Sequence, residues 1–186
     1  MFNNTAQWLI KKLLTSFDRG RVRVDVGSTG FWEGREFRLN LPLTITTSTR
    51  FVLRVTAPID FILQLQRLSV NETGIRFQAY RSVQGTPSGS WTNVTMYANN
   101  GMSDTPAYTQ QVIVATGGTF VATVGQLPVE TIEVLVSGAT AQQTTVSGNT
   151  AKERGLPVDT YYLVFTNYTG SGTAKGIYDL IIEERP

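Results

Sequence analysis

The sequence predicts an all-β fold, an antiparallel β-sandwich of jelly-roll kind preceded by an N-terminal amphipathic α-helical arm. Three observations lead there. Apolar residues recur with a period of two over most of the chain after residue 20, and Gly/Pro/Asn/Ser clusters separate nearly every pair of apolar runs. The 186 residues also hold 26 Thr and, together, 24 Gly and Pro, against a charged share of 16%. Residues of those types favour short strands joined by tight turns. The length suits one domain of ordinary size with a short appendage, divided as an arm over 1–20 and a β domain over 21–186.

Residues 4–17 read as the helix. Asn4 or Thr5 can cap the free N–H groups, and Gln7 stands three after Asn4, as a capping box requires. At 100° per residue, Phe2, Ala6, Leu9, Ile10, Leu13, Leu14 and Phe17 share one arc, while Lys11, Lys12, Thr15 and Ser16 lie outside it. Trp8 projects on the polar side, and Asp18-Arg19-Gly20 ends the helix. Such a stripe either covers the β domain or docks on another molecule. Its terminal position, and an aromatic on the face opposite the stripe, favour docking.

Arg21 to Val26 then alternates Val with charge, and a Gly/Ser/Thr turn follows at Gly27 to Gly30. Phe37, Leu39 and Leu41 form the next alternating set, which Pro42 interrupts. Phe51, Leu53 and Val55 form another. Ile59 to Val70 is one long strand with a bend, and Ile75, Phe77 and Ala79 follow it. Trp91 to Tyr97, Gln111 to Ala115, Thr119 to Val124, Thr131 to Val136, Tyr161 to Asn167 and Ile177 to Glu183 complete ten or eleven strands. Turns are expected at Asn71 to Gly74, Gly85 to Gly89, Asn99 to Gly101, Gly117-Gly118 and Gly170 to Gly172. Short strands at near-regular spacing specify a sandwich or barrel. Residues 137–155 carry few large apolar side chains and read as a long exposed loop.

The chain has no Cys and no His. Thiol nucleophiles, disulfides, Cys/His zinc sites and His-based acid/base schemes are therefore excluded, and no catalytic residue, metal ligand or cofactor is expected. Glu33/Glu36, Glu130/Glu133 and Glu183/Glu184 lack calcium-loop spacing and read as surface carboxylates. Asp60, in an apolar strand, is the one acid suited to a raised pKa, but no partner for a glycosidase pair is visible. Trp32, Arg35, Phe37 and Arg38 interleave basic and aromatic residues, which strand alternation explains without nucleic acid. Exposed aromatics can stack on sugars. Trp32, Trp91, Tyr97 and Tyr108 qualify, and Trp91 and Tyr97 are the glycan-binding candidates, with Trp91 beside the Gly/Pro/Ser loop the best placed.

The net charge of +2 is uneven: residues 1–60 carry nine Lys/Arg against five Asp/Glu, whereas residues 61–150 hold only seven charges in all. So neutral a surface repels like neighbours weakly and suits packing in an assembly. No apolar run is long enough to span a bilayer, and Lys11-Lys12 sits inside the apolar stretch instead of ahead of it, so neither a membrane span nor a signal peptide is expected.

Three segments carry a family likeness: Phe51-Val52-Leu53-Arg54-Val55-Thr56-Ala57-Pro58-Ile59-Asp60-Phe61-Ile62-Leu63, Tyr80-Arg81-Ser82-Val83-Gln84-Gly85-Thr86-Pro87-Ser88-Gly89-Ser90-Trp91, and Glu153 to Asn167 with the later Gly170-Ser171-Gly172-Thr173-Ala174 and Glu183-Glu184. Over roughly residues 35–186 the chain resembles small structural proteins of tailed-bacteriophage virions. The resemblance implies a non-enzymatic β-sandwich located in the virion: a capsid decoration or cement protein, a head fibre, or a tail or neck adaptor. It further implies a homotrimer with the major capsid protein or other virion proteins as partners. On physical grounds the anchor is the helix stripe with Trp8 and the basic residues that follow. It comprises Phe2, Trp8, Leu9, Ile10, Leu13, Leu14, Phe17, Arg19, Arg21 and Arg23. The other expectation is a carbohydrate-binding receptor module using Trp91 and Tyr97.

Overall fold

The computed structural model describes residues 17–18, 21–22, 29–100, 108–135, 143–147, 154–169 and 172–186. Its elements, in chain order, are β1 (Phe17–Asp18), β2 (Arg21–Val22), α1 (Thr29–Trp32), β3 (Glu36–Thr46), β4 (Arg50–Ala57), β5 (Asp60–Glu72), β6 (Ile75–Arg81), a 3-10 turn (Ser82–Gln84), β7 (Gly85–Ser88), β8 (Thr92–Val94), β9 (Tyr97–Ala98), β10 (Ile113–Thr116), β11 (Thr119–Ala122), β12 (Glu130–Val134), β13 (Gln143–Ser147), β14 (Arg154–Leu156), β15 (Asp159–Asn167) and β16 (Thr173–Arg185). Among the described residues no helix is long and apolar enough to cross a membrane.

The fold is all-β and antiparallel. One large sheet has the order β13-β5-β16-β3-β9, with β14 also on β5. The other runs β12-β6-β15-β4-β10-β8. The chain changes sheet at almost every turn, and in each sheet a late strand enters between two early ones. β16 lies between β5 and β3, and β15 between β6 and β4. Inward residues of both sheets make the main core, with Leu39, Leu53, Phe77, Phe165, Tyr178 and Ile182 among them. Each fully buried side chain of this size contributes about 1.5–3 kcal/mol by area.

A second, smaller core lies on the outer face of the β15 sheet. The two-stranded β7–β11 ribbon covers it and stacks Phe120 on Tyr162, with centroids 4.4 Å apart and planes 12° apart. β15 is therefore buried on both faces, which explains the unbroken apolar run Tyr161-Tyr162-Leu163-Val164-Phe165.

Several expectations are corrected. Gly85 to Ser88, expected as a turn, is β7, with Pro87 opposite Phe120. A proline fits there because β7 has β11 as its single neighbour in a two-stranded sheet. Pro42 does not interrupt β3. It sits opposite Ile177 of β16, and the other side of β3 is paired only at Phe37 and Arg38, so no ladder bond need be lost. Trp91 to Tyr97 is not one strand. β8 joins the β10 edge, β9 joins β3, and the chain crosses between sheets with Met96 buried. Within the expected 137–155 loop, β13 pairs with β5, because β5 is long enough to hold β14 and β13 in succession along one edge. Thr29–Trp32 is a helical turn, not part of a Gly/Ser/Thr turn. The bend foreseen in Ile59 to Val70 is a bulge: Ile181 faces Leu65 and Ile182 faces Leu63, which leaves Gln64 as the extra residue.

The N-terminal helix lies outside the described residues except at its end. There Phe17 pairs with Val22 and Asp18 with Arg21 as a two-strand ribbon, so Phe17 is in a strand. The β-branched alternation of Arg21-Val22 and the Gly at position 20 favour a hairpin over a continued helix.

At one end of the β15 sheet, Asp159 accepts hydrogen bonds from Ser82 Oγ (2.6 Å), Arg81 Nε (2.5 Å) and its neighbour's Thr160 N–H (2.7 Å). Desolvation pushes its carboxyl up, but these three donors outweigh it and hold the pKa below the ordinary carboxylate value. A depressed folded-state pKa gives stability that is present above the unfolded pKa of about 3.9 and lost as pH falls through the folded value. Asp159→Asn should therefore lower the Tm at pH 6, with the gap to wild type shrinking as the scan is repeated below pH 4. A gap independent of pH would refute this assignment.

Candidate functional site

The β5–β16–β3 sheet has one face in the core and one outside. On β3, Phe37, Leu39 and Leu43 point inward, so Arg38 and Asn40 project from the outer face. On β16, Tyr178 and Leu180 point inward, which sends Asp179 and Ile181 outward beside them. From β5, the stretch after the Gln64 bulge adds Leu65 and Arg67. β9 supplies Tyr97, the register partner of Arg38. Together these residues line an open cleft of about 340 Å³.

Asp179 is the hub of the cleft. Its Oδ1 accepts Asn40 Nδ2 at 2.5 Å, and its Oδ2 accepts Arg67 Nε at 2.7 Å and Arg67 Nη2 at 2.6 Å. Both carboxylate oxygens are thus occupied, and the planes of Asn40 and Arg67 are fixed by a buried acid. Arg38 is exposed and has no carboxylate partner among the described residues. Tyr97 is 64% exposed, with its ring free to receive a ligand.

Farther along the same face the environment turns acidic and closed. Glu183 and Glu184, expected on the surface, are wholly buried, and Glu36 is nearly so. Glu183 Oε2 accepts Gln64 Nε2 at 2.8 Å, and its Oε1 lies 3.2 Å from Arg185 Nη2 and 3.9 Å from Arg35 Nη1. Gly30 of α1 packs on this carboxylate so closely that a Cβ would collide with it. Glu184 points the opposite way, toward the core end, where its carboxylate accepts the N–H groups of Val112 (2.7 Å) and Gln111 (3.0 Å) just ahead of β10. Glu36 accepts Asn99 Nδ2 at 3.0 Å. These acids tie α1, Asn99 and the Gln111–Val112 backbone to the sheets. Burial, with a smaller contribution from the Glu184 carboxylate, pushes the nearby Tyr108 hydroxyl pKa up.

Other sequence candidates fall apart in space. Trp91 is half-buried, with the Arg54 guanidinium 4.8 Å over its ring, Tyr162 at 6.0 Å, and Gly118 against the indole with no room for a Cβ. It closes the second core instead of offering a free platform. Of the basic–aromatic interleave, Phe37 is core, Arg35 is held by Glu33 (2.7 Å), and Trp32 and Arg38 are exposed. Asp60 is exposed and accepts the Val158 N–H at 3.0 Å. Glu130 and Glu133 pair with Arg154 and Arg76. Among the described residues no three acids converge as metal ligands would. Of the anchor residues, Phe17 and Arg21 lie in the ribbon described above. Phe2, Trp8, Leu9, Ile10, Leu13, Leu14, Arg19 and Arg23 lie outside the described residues.

A second surface was not foreseen. Val83, Val121, Val124, Leu127 and Val129 are all exposed, Val124 completely and Leu127 by 80%. The backbone that carries them is tied down. Thr123 N–H donates to Gln84 O (2.9 Å), Gln84 Nε2 to Leu127 O (2.6 Å), and Val129 N–H to Ala79 O (2.8 Å). The 121–129 segment and the 3-10 turn bonded to it together display five large apolar side chains on a fixed backbone, a mark of an interaction surface. The run Val121 to Val129 signals it in sequence, although only the fold shows that these side chains are not core.

No protein-family profile, curated protein or solved structure matches this chain.

Proposed function

We propose that this chain is a non-catalytic structural protein of a tailed-phage virion, most simply a capsid decoration or cement protein, with its β domain a jelly roll. The observation that carries the reading is the apolar loop surface of Val83, Val121, Val124, Leu127 and Val129, which a free monomer leaves uncovered in water. The strand order supports the jelly roll. β3-β16-β5-β13 faces β4-β15-β6-β12, eight strands in two interleaved sheets, an architecture common in viral capsid and lectin domains. The family likeness of residues 35–186 supplies the virion setting.

In this reading the N-terminal segment grips the shell, and the apolar loop meets a neighbouring subunit. Binding only to the assembled lattice stabilises it by RT ln(1 + [L]/Kd) per site, about 2.7 kcal/mol at a hundredfold excess over Kd, multiplied over many sites. The test is co-sedimentation with purified particles. A Val124→Asp/Leu127→Asp double variant should keep its Tm within a few degrees, because both side chains are exposed, and should lose about tenfold or more in bound copies. Deleting residues 1–18 should abolish binding while the β domain stays folded. Undiminished binding by both proteins would overturn the reading. Copy number then separates locations: hundreds per particle mean the capsid, and a single ring of copies means a tail or neck adaptor.

A further inference from the structure

We propose that the outer-face cleft around Tyr97 binds an acidic saccharide, one whose pyranose ring carries a carboxylate. This site is separate from the apolar loop surface and does not depend on the assembly reading. Recognition of a sugar needs two things at once. One is an aromatic face for the axial C–H groups of the ring. The other is planar polar side chains, already oriented, for the hydroxyls.

The cleft supplies both. Tyr97 stands exposed at its rim, and Leu65 and Ile181 give it an apolar patch. Asn40 and Arg67 are held in place by Asp179, so they meet a ligand with little further loss of side-chain freedom. With Asp179 saturated, the Asn40 carbonyl is left to accept, and the remaining Arg67 N–H groups are left to donate. The volume of about 340 Å³ suits one or two sugar rings and is too small for a protein element.

Charge selects the acidic class. Two guanidiniums, Arg38 and Arg67, stand against one carboxylate, Asp179, whose oxygens are already taken by Asn40 and Arg67. Arg38 keeps its planar fork free beside the Tyr97 ring, and that fork matches a carboxylate in two parallel hydrogen bonds. A sugar stacked on Tyr97 places a ring substituent within reach of Arg38, its register partner. A neutral sugar would leave this cation unused, whereas a free phosphate would use the cation and leave the aromatic idle.

The experiment titrates the full chain with oligogalacturonate, with a neutral maltooligosaccharide of equal length and with inorganic phosphate, each followed by calorimetry and Tyr fluorescence. Oligogalacturonate should bind at least about tenfold more tightly than either control. Arg38→Gln should erase the preference for acid over neutral sugar. Tyr97→Ala should lower saccharide affinity about tenfold or more, and Tyr97→Phe should restore it, since the ring and not the hydroxyl makes the platform. Both residues are exposed, so unchanged Tm values are expected and serve as the folding control. No saccharide binding at millimolar concentration would overturn the proposal, and so would equal affinity for phosphate and oligogalacturonate or binding indifferent to both Arg38→Gln and Tyr97→Ala. None of these results bears on particle binding through the Val124–Leu127 surface, so the two readings fail separately.

Discussion

Replacing Glu184 by Leu should lower stability by about 3–5 kcal/mol, the largest loss expected from any single polar substitution in this fold. The carboxylate is fully buried and serves as acceptor for two successive backbone N–H groups, those of Gln111 and Val112. Leu fills similar space but accepts nothing, so the buried Val112 N–H is left without a partner and the part-buried Gln111 N–H loses its acceptor too. Each such buried orphan costs about 1–3 kcal/mol. Glu184→Gln keeps one acceptor oxygen and should lose only part of this. Denaturant titration checks both variants, and a Leu variant within 1 kcal/mol of wild type would show that the 111–112 backbone finds other partners. The location makes the effect cooperative: Glu184 belongs to β16 of one sheet, and Val112 leads directly into β10 of the other.

Phe165→Ala should cost about 3–5 kcal/mol by the same measurement, here through a cavity. Phe165 is fully buried on β15, with Phe51 of β4 and Phe77 of β6 as its register partners on either side. The three rings form a row across the sheet, with centroids 6.0 Å and 5.2 Å from the central one. Tyr178 from the opposite sheet meets the middle of the row at 5.0 Å. Removing the central ring takes away both cross-strand contacts and the contact between sheets at once. At about 2–4 °C per kcal/mol for a chain of this size, the Tm should fall by roughly 10 °C. Phe165→Leu, which retains most of the volume, should recover more than half of the loss.

These two residues show what was legible in the sequence. Strand existence and facing were readable wherever one face is buried, because Phe51-Leu53-Val55 and Ile75-Phe77-Ala79 repeat with the period of a pleat. The partner of each strand was not readable. The Phe51–Phe165–Phe77 row depends on register between segments about a hundred residues apart, which no local pattern encodes. The cleft was hidden for the same reason. Arg38 and Asn40 could be placed on one face of their strand, but Arg67 and Asp179 arrive from elsewhere, and it is the ion pair between them that makes a site.

Glu183-Glu184 failed differently. Two acids near other charged residues look like solvated surface, and the N–H groups and Gly30 that enclose them are distant in sequence. Trp91 and Tyr97 were equal by residue type, but only the crossing of the chain between sheets decides that one ring closes a core and the other stands free. Pro42 and Pro87 misled because proline excludes only a central hydrogen-bonded position, and both stand where a ladder partner is missing.

The insertion of late strands between early ones has a consequence for synthesis on the ribosome. β3 and β5 never pair with each other, and neither do β4 and β6. Each couple waits for a strand made roughly 80 to 100 residues later. A nascent chain stalled before Thr173 therefore holds β3 and β5 with open edges whose shared neighbour does not yet exist, and such edges recruit foreign strands. Folding of this domain waits until β16 has been made, and its long-range pairings make it slow for its size. Premature stop codons in the final segment should yield insoluble product, not a shortened but working domain.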